Sequence, residues 1–229
     1  MDPEFKTALE HLSAETIVER LESHISERRR QRIQEVVSGR IDGIHLALEC
    51  PSDINNALAA LRTAEALGIA NIHLIQAERN AANLRSITQG AFYWINRHYY
   101  SNLPEFLTMI KNQNMILAGG TVSSDRVIPL NQIPVDKPIC LLLGNEQRGL
   151  SPEAHEECEI HYRIPMFGMS ESLNLSVSAA ISLYDTTTRK RELINNSTDL
   201  NSSQQLEILA QYYFSSLDPR LTQALLSEG

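Results

Sequence analysis

The sequence predicts an α/β fold built on a mostly parallel sheet with helices on both faces. Strand-like apolar segments alternate with helical segments about every 20 to 25 residues, a spacing typical of strand–helix–strand units. Two of these strands, 44–49 and 138–143, are apolar enough to lie in the middle of a covered sheet. Because ligands of such sheets bind beyond the carboxyl ends of the strands, we expect the functional site at that edge.

The composition is that of an ordinary globular chain. Its 229 residues are 42% hydrophobic and 21% charged, with a net charge of −8. The acidic balance argues against indiscriminate nucleic-acid binding, although it does not exclude a local basic surface. No run reaches the length of a membrane span, and the N-terminus has no apolar secretory core. The three cysteines, Cys50, Cys140 and Cys158, have no paired spacing and indicate reduced, intracellular thiols.

The first 38 residues indicate a helical extension with a basic segment. Apolar spacing predicts two helices within 7–38, separated near Ser26, which could cap the second. Four arginines follow within five positions. They form either an ordinary solvated surface or a patch that contacts RNA phosphates. Met1–Phe5 resembles a cloning-site remnant and is left out of the functional interpretation.

The central elements are predicted in order from apolar runs, caps and glycine stops. Ser151 followed by Pro152, for example, combines a capping hydroxyl with proline at the first helical position. The predicted elements are strand 44–49, a helix from Ser52 or Asp53 to Gly68, strand 71–75, a short helix 81–90, strand 93–99, helix 103–111, strand 115–118 before Gly119-Gly120, strand 138–143 before Gly144, a helix from Ser151 and strand 158–164.

The stretch 164–184 runs from a strand end through an irregular loop into a long helix. Ser172 and Asn174 lie at the predicted helix start, where free backbone N–H groups suit a small polar ligand. Apolar residues share one face of this helix, namely Leu173, Val177, Ala180, Ile181 and Tyr184. Three strand ends therefore carry glycine-containing or polar loops, at 119–120, 144–146 and 165–168.

The end of the chain is predicted as an extension beyond the sheet. Residues 195–203 form a polar linker, and a last helical piece carries apolar residues that must dock on the body or on a partner. These residues are Leu206, Leu209, Tyr212, Tyr213 and Phe214.

Several common site types are disfavoured. The sequence has no GxGxxG fingerprint, no P-loop and no GxSxG elbow, which argues against a dinucleotide site, an NTPase and a serine hydrolase. His155, Cys158 and His161 have ligand-like spacing. Strand alternation, however, places Cys158 opposite His161, and no fourth ligand stands nearby, so no metal site is predicted.

Three segments become informative as a set: Asn56-Ala-Leu-Ala-Ala-Leu-Arg62-Thr-Ala, Leu143-Gly-Asn-Glu-Gln-Arg-Gly149-Leu, and Ile164-Pro-Met-Phe-Gly168 with Ser172-Leu-Asn-Leu-Ser-Val177. They resemble, in order and spacing, the three motifs of the SpoU/TrmH family of ribose 2′-O-methyltransferases in the SPOUT superfamily. The resemblance runs from about Arg28 to Arg191. The segment 28–37, leading into Leu48-Glu49, is similar to the branch that acts on tRNA.

The resemblance implies an α/β sheet whose C-terminal part is tied in a trefoil knot, a rare exception to unknotted topology. It also implies S-adenosylmethionine as cofactor, bound within the knotted loops, and a cytoplasmic homodimer joined through the knot region. The helix from Asn174 to Tyr184 would then serve both core and dimer interface. The implied domains are an N-terminal helical extension (1–40), a methyltransferase domain (41–191), and a C-terminal linker and helical extension (192–229).

The resemblance also assigns roles to residues. Arg62 matches the catalytic arginine, with Asn56, Glu146, Ser172 and Asn174 as polar companions. Cofactor contacts are expected at Gly119, Gly144, Ile164, Met166, Gly168, Ser172 and Leu173. RNA contacts are expected at Arg28, Arg29, Arg30, Arg32, Arg62, Arg148, Arg189, Lys190 and Arg191. Because guanidinium stays protonated, Arg62 either acts as a base primed by an RNA phosphate or stabilises developing negative charge.

Two departures from the family pattern bear on the substrate. Leu58 replaces a usually small residue and is expected to crowd the approach to the site. Ser52-Asp-Ile-Asn55 lacks the basic and histidine character of the tRNA-acting enzymes. The predicted function is S-adenosylmethionine-dependent 2′-O-methylation of tRNA at guanosine-18. The alternatives are the same chemistry on rRNA or another tRNA position, and a non-catalytic RNA-binding protein with this fold.

Overall fold

The computed structural model describes residues 3–77, 88–122 and 126–227. The chain divides into two compact units. The terminal unit comprises Met1–Arg40 with Ser197–Gly229, and the central unit comprises Ile41–Asn196. Within the described ranges, no helix is long and apolar enough to cross a membrane.

The described elements, in chain order, are α1 (Pro3–His11), α2 (Ala14–Glu22), α3 (Glu27–Val37), β1 (Ile44–Glu49), α4 (Ile54–Ala66), β2 (Asn71–Ile75), β3 (Asn96–Tyr100), α5 (Leu103–Asn112), β4 (Ile116–Gly120), β5 (Val127–Pro129), β6 (Ile139–Leu143), α6 (Pro152–Glu157), β7 (Ile160–Arg163), α7 (Leu175–Ile194), α8 (Ser202–Ser216) and α9 (Pro219–Ser227). Short 3₁₀ turns occur at Ala91–Tyr93 and Leu130–Gln132.

The seven described strands form one parallel sheet in the order β3-β2-β1-β6-β4-β7-β5. The central strands β1 and β6 are buried along their whole length, as their apolar sequences predict. Leu143 at the end of β6 pairs with Leu48 of β1 and with Gly120 of β4. The loops that follow these strands therefore emerge side by side at one edge of the sheet.

Helices cover both faces of the sheet, which confirms the predicted architecture. Alternate residues of β6 belong to two separate core clusters. Leu141 and Leu143 pack in the cluster that contains residues of α4 and α7. Cys140 and Leu142 pack in the cluster that contains residues of α5 and α6. This alternation is the two-residue period of a strand buried on both sides.

Several strand boundaries differ from the predictions. The last strand begins at Ile160 rather than Cys158, which caps α6, and Val127–Pro129 form a strand that was not predicted. The third strand begins at Asn96 rather than Tyr93, because Ala91–Tyr93 form a 3₁₀ turn after Gly90, whose φ is 87°. The fourth strand continues through Gly119-Gly120 instead of ending before them. The predicted helix 81–90 lies mostly outside the described residues.

The long helix α7 begins where predicted, with Asn174 as its N-cap, but it buries a different face. Val177, Ile181 and Tyr184 are 43%, 38% and 65% exposed. The face turned to the core carries polar as well as apolar residues: Leu175, Ala179, Ser182, Leu183, Thr186, Thr187 and Lys190. Its threonines can be buried because their hydroxyls donate to carbonyls of the preceding turn, such as Thr187 Oγ1 to Leu183 O at 2.7 Å.

The terminal unit joins the two ends of the chain. Helix α8 packs on α2 and α3, and its Tyr212 and Tyr213 are buried, so the C-terminal apolar set docks on the N-terminal helices. Three helices replace the two predicted for 7–38, because Ser13 caps α2 by accepting from Thr16 N; the break near Ser26 is confirmed. Phe5 also packs in this unit, since its buried ring lies 5.4 Å from that of Phe214.

Candidate active site

Three polar side chains from three separate segments meet at the carboxyl edge of the sheet. Asn174 Nδ2 donates to Asn56 Oδ1 at 3.0 Å, and Asn56 Nδ2 donates to Glu146 Oε1 at 3.0 Å. Asn174 Oδ1 accepts from the backbone N–H and the hydroxyl of Ser176, as a helix cap does. The cap therefore orients the Asn174 amide so that its NH₂ group points to Asn56. The sequence predicted this meeting of motifs.

Glu146 is a firmly ionised carboxylate. Its Oε2 accepts from the Ser52 backbone N–H at 2.8 Å and from the Ser52 hydroxyl at 2.6 Å. Burial tends to raise the pKa of Glu146, but the hydrogen bonds from Ser52 and Asn56 outweigh it and lower the pKa to about 2. A carboxylate with so low a pKa is a weak proton acceptor at neutral pH. This favours a role for Glu146 in holding the start of α4.

The turn after β6 is tightly closed. Asn145 and Gly149 exchange backbone hydrogen bonds of 2.9 and 2.8 Å, and Asn145 Oδ1 accepts from the N–H groups of Gln147 and Arg148. Gly149 has a φ of 69°, which glycine adopts without strain. A Cβ on Gly144 would lie 2.2 Å from the carbonyl carbon of Gly149, so only glycine fits there.

Two further hydrogen-bonding contacts fasten this turn to the end of β1. Glu49, which is 4% exposed, accepts from the Ser151 N–H at 2.9 Å and from its hydroxyl at 2.6 Å. Asn145 Nδ2 donates to Cys50 O at 2.7 Å. These contacts between residues about a hundred positions apart were not predicted. Only the placement of Glu49 at the end of a buried strand could have drawn attention to it.

A cavity of about 390 Å³ lies between the loops that follow β4, β6 and β7, within the usual size range of small-molecule sites. Of the predicted cofactor contacts, its wall includes Gly144, Ile164, Met166, Ser172 and Leu173. Two others lie outside the wall. Gly119 is packed against Cys158 Sγ and Leu150, where an added Cβ would come within 2.8 Å, and Gly168 has open space around it.

Other residues of the wall were missed by the sequence analysis. They include Gly120, Gln147, Tyr162, Arg163 and Glu171. Tyr162 is buried and donates its hydroxyl to Ser182 Oγ at 3.1 Å; burial raises its pKa, so the phenol stays neutral. The alternation within β7 is the sequence signal that could have identified Tyr162.

Arg62 does not join the Asn56–Glu146–Asn174 set. It is exposed on α4, six residues after Asn56, which corresponds to about 240° of rotation and about 9 Å of rise. No hydrogen bond or ion pair of Arg62 is found among the described residues. Leu58, by contrast, is 4% exposed, so its side chain packs in the interior and does not crowd the approach.

The basic residues predicted to bind RNA fall into two groups. Arg28 and Arg29 on α3 are exposed, as is Arg148, which lines the cavity. Arg32 is exposed beside Glu35, in a weak surface pair at 3.2 Å. Arg30 is less accessible, because its guanidinium is paired with both Glu22 and Glu27.

The basic run at the end of α7 is used inside the central unit. Arg189 donates to the carbonyls of Ile133 and Leu130 and pairs with Asp185. Lys190 is 6% exposed, and Arg191 donates to Leu67 O at 3.0 Å. The hydrogen bonds of Arg189 and Arg191 and the burial of Lys190 engage these side chains within the central unit, and their role in RNA binding stays a prediction.

Fold and site together define an α/β enzyme of the type that binds a small molecule at the carboxyl edge of a parallel sheet. The model of the SpoU rRNA Methylase family matches residues 43–184. The chain belongs to this family.

Relatives agree with this assignment. The chain is 28% identical over 195 residues to a tRNA (guanosine(18)-2′-O)-methyltransferase of Borreliella burgdorferi, covering 84% of this chain and 88% of the relative. Its fold matches the TrmH/SpoU tRNA modifying enzyme of A. aeolicus with a TM-score of 0.74 and 28% identity, over 84% and 98% of the two chains. An AdoMet-bound rRNA methyltransferase from Sinorhizobium meliloti matches with a TM-score of 0.57 and 25% identity, over 66% and 57%.

Proposed function

We propose that this protein is an S-adenosylmethionine-dependent ribose 2′-O-methyltransferase that modifies tRNA at guanosine-18. The observation that carries the proposal is the Asn56–Glu146–Asn174 set beside the strand-end cavity, which unites all three motif segments at one place. The name of the Borreliella burgdorferi relative supports the substrate, and the bound ligand of the Sinorhizobium meliloti relative supports the cofactor.

The cavity fits the proposed cofactor. Its wall combines apolar side chains such as Ile164, Met166 and Leu173 with the backbone of Gly120 and Gly144. Gly144, Ile164 and Leu173 would hold the cofactor, largely through backbone groups. When bound, S-adenosylmethionine supplies an electrophilic methyl group on its sulfonium. In this proposal the loops after β6 and β7 belong to the trefoil knot that the family resemblance implies.

The remaining residues would prepare the ribose hydroxyl. That hydroxyl is a poor nucleophile until its proton leaves, so the site must accept the proton or stabilise the resulting oxyanion. Glu146 is poorly suited to accept the proton because its pKa is about 2. Ser172 and Asn174 would orient the ribose, and the charge of Arg62 would stabilise the oxyanion. Activation of Arg62 as a base by an RNA phosphate is the alternative.

We also propose that the protein is a homodimer joined through α7. The exposed Val177, Ile181 and Tyr184 form an apolar face, and a groove of about 700 Å³ runs beside it, lined partly by Leu130 and Ile164. A second copy of the chain would cover this face, in line with the dimer that the family resemblance implies. Light scattering should then give about twice the 25.7 kDa mass of one chain; a single-chain mass would contradict the proposal.

The function is tested by methyl transfer from labelled cofactor to bulk tRNA and rRNA, followed by mapping of the modified ribose. Label at guanosine-18 of tRNA is expected. A tRNA transcript that already carries a 2′-O-methyl group at this position should accept no label, which provides the matched control. Label confined to rRNA would overturn the substrate, and absence of cofactor binding in calorimetry would overturn the enzyme class.

RNA binding is expected to depend on Arg28 and Arg29, two of the exposed arginines of α3. Replacing Arg28 and Arg29 with alanine should weaken tRNA binding and reduce the salt slope of log K by about 1 to 2, since each phosphate contact contributes about 0.7 to 0.9. Fluorescence anisotropy over a range of salt concentrations measures both effects. A Lys6→Ala/Lys137→Ala variant removes the same charge from other exposed positions and should leave the slope unchanged. Equal slopes for both variants and the wild type would contradict the assignment.

A further inference from the structure

Glu49 is a buried carboxylate that the proposed reaction does not use. It ends β1, is 4% exposed, and both of its oxygens accept hydrogen bonds from Ser151. Among the ion pairs found between described residues, none involves Glu49. Glu49 and Ser151 are distant in sequence. Their hydrogen bonds therefore join the end of β1 to the end of the loop that follows β6.

Neither core stability nor the capping of α6 requires the hydrogen bonds between Glu49 and Ser151. Burial of a carboxylate without a cation partner is costly, and an apolar side chain of similar size would usually serve core stability at least as well. Ser151 also caps α6 by itself, because its hydroxyl oxygen accepts from Ala154 N at 3.1 Å. The bonds to Glu49 are additional to the cap. They hold the serine in one position relative to β1.

The segment held by Ser151 forms one wall of the cavity. Residues Asn145 to Leu150 all line it, and Ser151 follows directly. The other end of this loop is fastened by Asn145 Nδ2, which donates to the carbonyl of Cys50. Cys50 has a φ of 47°, a left-handed conformation that non-glycine residues rarely adopt. Two consecutive residues at the end of β1 therefore hold both ends of the loop.

We propose that Glu49 is a positioning residue for cofactor binding, which keeps the loop 145–151 in the shape that the cavity needs. The inference rests on the proposed function, because it takes the methyl donor as the ligand of the cavity. Glu49 acts through Ser151 and touches neither cofactor nor RNA. Loss of the contact lets the loop adopt other shapes, and the apparent affinity falls by the fraction of molecules that keep the binding shape.

Glu49→Gln is the direct test, because it keeps the size of the side chain. A carboxamide has one acceptor oxygen where the carboxylate has two, so one of the bonds from Ser151 loses its acceptor. Calorimetry with S-adenosylmethionine should show a Kd about tenfold higher than that of the wild type. Initial rates at saturating cofactor should stay within about twofold, so that KM for the cofactor changes while kcat does not.

Two substitutions at Ser151 provide an independent test if Glu49→Gln does not fold. Ser151→Thr keeps the hydroxyl and should bind like the wild type, whereas Ser151→Ala should resemble Glu49→Gln. Because both residues act through one contact, the double variant should lose no more affinity than the weaker-binding single variant. Ser13→Ala removes a serine cap from α2 in the terminal unit and controls for the loss of a helix cap alone.

The outcomes separate the inference from the proposed function. Wild-type protein that binds no cofactor would overturn both. Wild-type protein that binds, together with Glu49→Gln and Ser151→Ala variants of equal Kd, would overturn the positioning role and leave the function intact. Additive losses in the double variant would also overturn it, since they would show that Glu49 does not act through Ser151.

Discussion

Replacing Gly144 with alanine should weaken cofactor binding and methyl transfer by about a hundredfold or more, the scale on which a shift of about 1 Å impairs an active site. The new Cβ would lie 2.2 Å from the carbonyl carbon and 2.3 Å from the oxygen of Gly149. Both are backbone atoms, so no side-chain rotation relieves the clash, and the turn must open. The turn supplies a wall of the cavity and carries Glu146. Cofactor binding and methyl transfer to the ribose should therefore both be affected.

Calorimetry with S-adenosylmethionine and a methyl-transfer assay measure these two losses. Gly39→Ala is the matched control, because the nearest atom to its added Cβ is 3.7 Å away and the residue lies in the terminal unit. We expect wild-type binding and activity from this control. A Gly144→Ala protein with wild-type Kd would mean that the cofactor does not use this turn.

Arg62→Ala should lower kcat by about 10²- to 10³-fold, the usual scale for losing one group that stabilises a developing oxyanion. The Kd of the cofactor should hardly change, because Arg62 does not line the cavity. Single-turnover rates at saturating tRNA and cofactor measure the effect on chemistry. Arg220→Ala, which removes an exposed arginine from the terminal unit, should keep wild-type rates.

Arg62→Lys tests whether the role of this residue requires the guanidinium group. Lysine keeps the positive charge but lacks the planar fork of the guanidinium, so we expect partial recovery relative to alanine. Near-full activity at neutral pH would argue against a role specific to guanidinium. Wild-type rates for Arg62→Ala would remove Arg62 from the reaction altogether.

The sheet and the meeting of the motifs were predictable because parallel strands end at a common edge. Once β1, β4, β6 and β7 are recognised, their following loops must lie side by side, and Asn56 and Glu146 come within reach. The apolar runs of β1 and β6 made this recognition straightforward. The predicted edge therefore contains the cavity and the hydrogen-bonded set.

The buried face of α7 was not predictable from apolar spacing. Thr186 and Thr187 satisfy their own hydroxyls within the helix, so they bury as readily as small apolar residues. The threonine-containing face of α7 is buried, and the apolar face with Val177 and Ile181 is exposed. The hydrogen bonds from Arg189 to the carbonyls of Leu130 and Ile133 were not predictable either, because the sequence shows the charge but not its partners.

The terminal unit has a consequence for synthesis of the protein on the ribosome. Helices α1 to α3 are made before the central unit, but their packing partner α8 is made after it. At about 5 to 20 residues per second, translation of the central unit takes roughly 10 to 30 s. During that time the apolar surface around Ile17 and Leu21 lacks the partner that buries it. We therefore expect the contiguous central unit to fold first, and the nascent N-terminal helices to be the part of the chain that chaperones bind.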